Sequence, residues 1–260
     1  MKQRVITGII FGLVILGLLF FSEVTRLILL VLVPLLSFWE FTKLTEFKSR
    51  DWFISLLIVA GYTALCFFRG ADSQTILSYV LVAINLLLLV NLFKGFLNLE
   101  RGRAILGSMY IVVPFILAIF LEWNIPNYIL ISAMILIWVS DSSAYFVGSQ
   151  LGKRKLFPSI SPKKTWEGLW GACMVTLLAS YILFSYFQVG TWSGWVIIGL
   201  VVWGLGAIGD LIASQFKRYF KVKDSGTLLP GHGGFYDRFD AFIYILPFLI
   251  LLIEHFNILQ

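Results

Sequence analysis

The chain has 260 residues, of which 59% are apolar and only 13% charged, with a formal net charge of +6 and a mean hydropathy of +0.91. A water-soluble globule of this size has too little polar surface to cover so much hydrocarbon, so the soluble and disordered classes are excluded and lipid is the main solvent. At about 20 apolar residues per crossing, the chain holds roughly nine or ten spans and no large extramembrane domain.

In chain order, nine apolar segments are expected as helices: 5–21, 27–41, 52–68, 76–93, 104–121, 128–148, 166–187, 195–219 and 242–256. Backbone groups in hydrocarbon must bond within their own segment, which selects helices over an open sheet. The first segment starts at Lys2 and Arg4 like a signal peptide, but it lacks a small-x-small cleavage site and is kept as an anchor. The basic residues follow the count. All except Arg26 and Arg69 fall at the N-terminus or in even-numbered gaps between segments. The positive-inside rule then puts the N-terminus in the cytoplasm and the C-terminus outside. The expected fold is an all-α polytopic membrane protein. Residues 1–125 form a scaffold with lipid access, and residues 126–260, with two cytoplasmic loops, form the catalytic region.

The acids of the first half (Glu23, Glu40, Glu46, Asp51, Asp72, Glu100 and Glu122) lie at segment ends or in short loops and read as solvated flanks. Cys66 and Cys173 sit in apolar stretches without metal or redox spacing and read as small core residues. Polarity concentrates in the second half. Asp141 lies inside an apolar segment, where insertion of a carboxylate costs on the order of 3 kcal/mol, so it needs a cation partner such as Lys153 or Lys163, or a function. The following run, Ser161-Pro162-Lys163-Lys164-Thr165, reads as a turn into a helix with Thr165 as N-cap. Hydroxyls, cations and a helix start together suit a phosphate.

The second polar block runs from Gly209 to Asp240. Asp210, Ser214 and Lys217 are spaced i, i+4, i+7 and form one stripe on the eighth helix. The stretch from Pro230 to Gly234 cannot continue a helix and offers backbone N–H groups. Asp237 and Asp240 open the ninth helix. His232 is a candidate base or donor, although a lone loop histidine is more often just hydrogen-bonded. Gly204, Gly206 and Gly209 fit a dinucleotide fingerprint, but no strand precedes them, so they read as close helix packing. Carboxylates among cations, with glycines between, suit phosphate chemistry with Mg²⁺, which takes oxygen ligands and one or two carboxylates.

Ser214 to Asp240 resembles the signature of the CDP-diglyceride synthetase (phosphatidate cytidylyltransferase) family. Its fixed positions are met by Ser214, Lys217, Arg218, Lys223, Asp224, Gly226, Leu229, Pro230, His232, Gly233, Gly234, Asp237, Arg238 and Asp240. The block from Trp138 to Gly168 is similar to a second region of that family. The resemblance implies transfer of CMP from CTP to phosphatidate, giving CDP-diacylglycerol and pyrophosphate in phospholipid synthesis. It implies Mg²⁺ held by Asp210 and Asp237, with room for an additional monovalent cation. Lys217 and Arg218 join these two acids as catalytic candidates. Ser161, Lys163, Lys164, Ser214, Lys223, Asp224, His232, Gly233, Gly234, Arg238, Asp240 and Asp141 are the substrate-binding candidates. The implied partners are CTP, phosphatidate and the bilayer of the cell membrane, with the site facing the cytoplasm, no nucleic acid, and a homodimer as the candidate assembly.

Two rivals remain at this stage. A related transferase acting on a different lipid would carry a similar signature. A transporter would use Asp141 and Asp210 as ion-binding acids, but the chain lacks an internal repeat and its polar residues cluster in loops.

Overall fold

The computed structural model describes residues 2–121, 127–228 and 233–256. Its helices are α1 (Lys2–Phe21), α2 (Glu23–Leu44), α3 (Ser49–Lys94), α4 (Leu99–Ile105), α5 (Val113–Phe120), α6 (Asn127–Leu151), α7 (Trp166–Phe187), α8 (Trp192–Tyr219) and α9 (Tyr236–Phe256). Seven stretches of these helices are long and apolar enough to cross a membrane; the Ile10–Phe21 stretch of α1 is shorter, and α9 is not among the seven. A π-helical turn, Leu106–Val112, joins α4 to α5. Pro114 has no N–H to offer the preceding turn, and the wider turn absorbs the mismatch.

The third and fourth expected segments lie in one helix, α3, of 46 residues. A straight helix of that length would reach about 69 Å. Its ends nevertheless meet the same end of the molecule. Near its start, Asp51 pairs with Arg103, whose Nη1 also donates to the Thr45 carbonyl. Near its end, Asn91 Nδ2 donates to Gln215. Phe216, next to Gln215, packs its ring on Phe41, whose carbonyl accepts from Thr45 N. So α3 doubles back along its length, and its two apolar windows, Ser49–Phe68 and Gln74–Lys94, are two separate span candidates.

The helix α9 is central, packed against α2, α3, α5, α6 and α8. Ile243 to Leu246 are all fully buried. The outer helices expose large side chains such as Leu13, Phe53, Leu56 and Met174; a surface this apolar fits lipid and would aggregate in water. Cys66 and Cys173 are free and buried, as expected.

Two expectations from sequence need correction. Residues 161–165 are not a turn but strand β2 (Ser161–Thr165), paired antiparallel with β1 (Lys155–Phe157). Glu40 and Asp51 are not solvated: they are 2% and 1% exposed. Asp51 accepts from Lys48 N and Arg103 Nε at the start of α3. Glu23, Glu46 and Glu100 are exposed as expected. The side chains of Asp72 and Glu122 lie outside the described residues.

Of the fingerprint-like glycines, Gly209 carries the close packing. A Cβ there would meet Tyr244 Cβ at 2.6 Å and the Asp240 carbonyl at 3.2 Å, whereas Gly204 faces open space. The α8–α9 contact beside Asp210 and Asp240 therefore requires a residue without a side chain. Gly209→Ala is expected to destabilise the protein by about 1–3 kcal/mol, the usual cost of overpacking. An unchanged thermal unfolding midpoint in detergent would contradict this.

Candidate active site

The hairpin β1–β2 carries the first group of cations and is pinned at both ends. At its base, the Glu167 carboxylate accepts from the N–H groups of Lys153 and Arg154, and Trp166 N donates to the Arg154 carbonyl. At its tip, Arg218 Nε donates to the Ile160 carbonyl at 3.4 Å, and Phe157 packs on Phe93. Thr165 is the N-cap of α7, accepting from Gly168 N, as the sequence suggested. Gly148 and Gly168 let α6 and α7 come close here: a Cβ on Gly168 would lie 2.7 Å from the Ala144 carbonyl.

This framework lays Lys164 across to α8, where its Nζ lies 2.5 Å from Asp210 Oδ2. Ser214 Oγ donates to Asp210 Oδ1 at 3.4 Å, so the expected polar stripe on α8 forms. Lys217, at its end, is 10% exposed and pairs with Asp237 Oδ1 at 2.6 Å. Asp237 Oδ2 in turn accepts from Ser225 N and Gly234 N. Asp240 is buried and accepts from Ala241 N. The field at Asp240 includes Asp210, Asp141 and Asp237 as well as Lys217. Asp141 feels Asp210, Lys164 and Arg238. The cations acting on it are thus Lys164 and Arg238, not the Lys153 or Lys163 expected from sequence.

Desolvation lowers the pKa of the Lys164 ammonium, but the Asp210 carboxylate and its hydrogen bond outweigh it, and the net shift is upward from the ordinary lysine value. A folded-state pKa raised in this way means a stabilising contribution that is complete at neutral pH and is lost only as pH rises through the alkaline folded-state value. Lys164 should therefore resist amine acylation. At pH 9 its labelling by mass spectrometry should be slower than that of exposed Lys163, because the Asp210 carboxylate holds its proton. Equal rates would contradict the Lys164–Asp210 ion pair.

Two cavities meet at these side chains. The larger, of about 530 Å³, is lined by Asp141, Tyr145, Lys155, Lys163, Lys164 and Asp210, among others. The smaller, of about 280 Å³, is lined by Phe11, Trp138, Asp141, Asp237, Arg238 and Asp240, among others. Asp141 lines both.

The structure therefore gathers Asp141, Lys163, Lys164, Asp210, Ser214, Lys217, Asp237, Arg238 and Asp240. Ser161 sits in the hairpin opposite Phe157 and does not line either cavity. Arg218 is committed to the hairpin tip and to the Val222 carbonyl. Lys223 and Asp224 are exposed on the loop after α8, with Asp224 packed beside Gly233. Gly233 has φ +80°, a left-handed conformation that favours glycine. Gly234 N is not free for a ligand, because Asp237 takes it. His232 lies outside the described residues. Sequence reading missed Lys155, whose only signal was its place in a basic run, and Glu40, whose Oε2 accepts from Ser225 Oγ and Tyr236 N.

The family profile described as "Cytidylyltransferase family" matches residues 2–256. This chain belongs to the cytidylyltransferase family. Among similar proteins, the phosphatidate cytidylyltransferase of Bacillus subtilis (strain 168) is 35% identical, with 99% of both chains covered. That of Staphylococcus haemolyticus (strain JCSC1435) is 32% identical over 98% of this chain and 100% of its own. That of Staphylococcus aureus (strain COL) is 33% identical with the same coverage.

Among the described residues, no three His, Cys, Asp or Glu side chains form a ready metal cage. The donor set still fits a hard cation. Four carboxylates share the site, and Asp141 and Asp240 lack an ion-pair partner among the described residues, where Asp210 and Asp237 each have a lysine. Mg²⁺ in phosphate sites needs only one or two carboxylates, because substrate oxygens complete its shell.

Proposed function

We infer that this chain is a phosphatidate cytidylyltransferase, transferring CMP from CTP to phosphatidate to give CDP-diacylglycerol and pyrophosphate. The observation that carries the site assignment is the carboxylate–lysine cluster where two cavities share the Asp141 wall. A reaction that joins two phosphate-bearing substrates calls for two adjoining compartments with cations in each. The larger suits the nucleotide triphosphate, with Lys155, Lys163 and Lys164 on its wall. The smaller suits the lipid headgroup, with Arg238 beside apolar Phe11 and Trp138.

In the reaction, a phosphate oxygen of phosphatidate attacks the α-phosphorus of CTP. The bond to the β-phosphate breaks, and pyrophosphate leaves. The attacking phosphate is already ionised, so no side chain has to remove a proton. Lys163 and Lys164 neutralise the triphosphate, which lowers the repulsion between the two anions and favours the in-line approach. Lys217 holds Asp237 in place and adds positive charge between the acids. Asp210 and Asp237 would hold Mg²⁺ by exchanging their lysine partners for the metal, and the ion would supply charge to offset the phosphates and polarise the phosphoryl oxygens.

The reading includes nine crossings, with the N-terminus in the cytoplasm, the C-terminus outside and the site at the cytoplasmic face of the cell membrane. The alternation of basic residues supports it, and so does chemistry, because CTP is aqueous and phosphatidate is anchored. The test is incorporation of labelled CTP into lipid by the purified chain with phosphatidate as acceptor and other nucleotides as competitors. Label in a CDP-diacylglycerol product, displaced by unlabelled CTP and not by ATP or GTP, is expected. Absence of a phosphatidate-dependent product would refute the reading.

A further inference from the structure

The loop between α8 and α9 is closed at its neck by two carboxylates from distant parts of the chain. Asp237 Oδ2 accepts from Ser225 N at 2.9 Å and Gly234 N at 3.1 Å. Glu40 Oε2, from α2, accepts from Ser225 Oγ at 2.8 Å and Tyr236 N at 2.9 Å. Each acid thus ties the outgoing strand of the loop, at Ser225, to its return. Tyr236 is the first residue of α9, and its N–H is one of the donors a helix start leaves without an internal partner. Glu40 supplies that partner from another helix.

The fit around Glu40 is close. A Cβ on Gly226 would lie 2.5 Å from Glu40 Oε1, and one on Gly234 would overlap both Glu40 Oε2 and Ser225 Oγ. A buried carboxylate in an otherwise apolar helix is costly, and mere packing of α2 has no use for it. Ser225 is the hinge of the arrangement, since its N–H goes to Asp237 and its hydroxyl to Glu40. Without Glu40, Ser225 is left with only its bond to Asp237, and Tyr236 N has no acceptor.

We propose that Glu40 is a positioning residue that fixes the neck of the Ser225–Tyr236 loop and so sets the Asp237 carboxylate against Lys217. The proposal rests on the reading of Asp237 as part of the active site. It concerns hydrogen-bond acceptance at one oxygen, so glutamine, which keeps a carbonyl oxygen, should serve in its place.

The test uses the full chain, purified in detergent, with two readouts: kcat for CMP transfer, and the rate of tryptic cleavage after exposed Lys223, which reports the neck without any chemistry. Glu40→Ala should lower kcat by about tenfold or more and speed cleavage by about tenfold, in line with losing two hydrogen bonds to a buried acceptor. Glu40→Gln should stay within about threefold of the unmodified chain in both. Ser225→Ala, which removes one of the bonds, should fall between them and serves if Glu40→Ala cannot be purified folded. The proposal is overturned if Glu40→Ala or Ser225→Ala matches the unmodified chain in both readouts, if Glu40→Gln is as impaired as Glu40→Ala, or if kcat falls with cleavage unchanged. Full turnover by Asp237→Asn would instead overturn the reading of the site, and the cleavage rates would still report whether Glu40 holds the loop.

Discussion

Asp210→Asn should reduce CMP transfer by about 10³-fold, the scale of losing a main electrostatic element in phosphoryl transfer, while the protein still folds. The separation of these effects follows from the surroundings. The Lys164–Asp210 pair is about a third exposed, at 27% and 31%, so solvent and the neighbouring acids can accommodate Lys164 once its partner becomes neutral. Asparagine also keeps an oxygen to accept from Ser214. The substitution removes the anionic charge that Asp210 offers at the wall of the larger cavity, and with it one of the two proposed Mg²⁺ ligands. The measurement is a Mg²⁺ titration of turnover alongside thermal unfolding. Undiminished Mg²⁺-dependent activity would end the assignment of Asp210 to the metal.

Lys217→Met should damage fold and activity together. Lys217 and Asp237 are 10% and 8% exposed, and their contact is 2.6 Å. Removing one member of a buried pair leaves the other charge uncompensated, at a cost of about 3–5 kcal/mol. Asp210 and Asp240 also lie in the field of Lys217, so the substitution leaves only Lys164 to offset their mutual repulsion. Turnover should fall by at least about 10²-fold, because 1.4 kcal/mol already corresponds to a factor of ten and the displaced group is Asp237. Lys217→Arg should recover part of the stability, since it restores a cation at nearly the same place, and less of the activity, because a planar fork does not reproduce a point charge. A normal unfolding midpoint for Lys217→Met would show that the pair does not hold the α8–α9 junction.

Much of this site was legible in the sequence because its residues repeat a local geometry. Asp210, Ser214 and Lys217 fall on one helical stripe at any register, and a polar stripe on an apolar helix is visible without coordinates. Thr165 announced a helix start by its residue type and position. Glu40 and Asp51 were misread for the converse reason. A carboxylate near the end of an apolar helix looks the same whether it faces water or another segment. What buries Glu40 is a serine 185 positions away, and Ser225 occupies a position that the family signature leaves free. The hairpin was missed because Ser161-Pro162-Lys163-Lys164-Thr165 has no alternation of apolar and polar residues; its pairing is set by anchors on α7, α8 and α3. The course of α3 was hidden because hydropathy marks where a chain enters and leaves an apolar phase and says little about whether the backbone stays helical between.

The two cavities share Asp141 in their linings. A charged guest on either side would face the same Asp141 carboxylate, and any change it made in the other's affinity would be returned by the same factor. With nucleotide and lipid in these chambers, as proposed, each dissociation constant would be defined only at a stated occupancy of the neighbouring one.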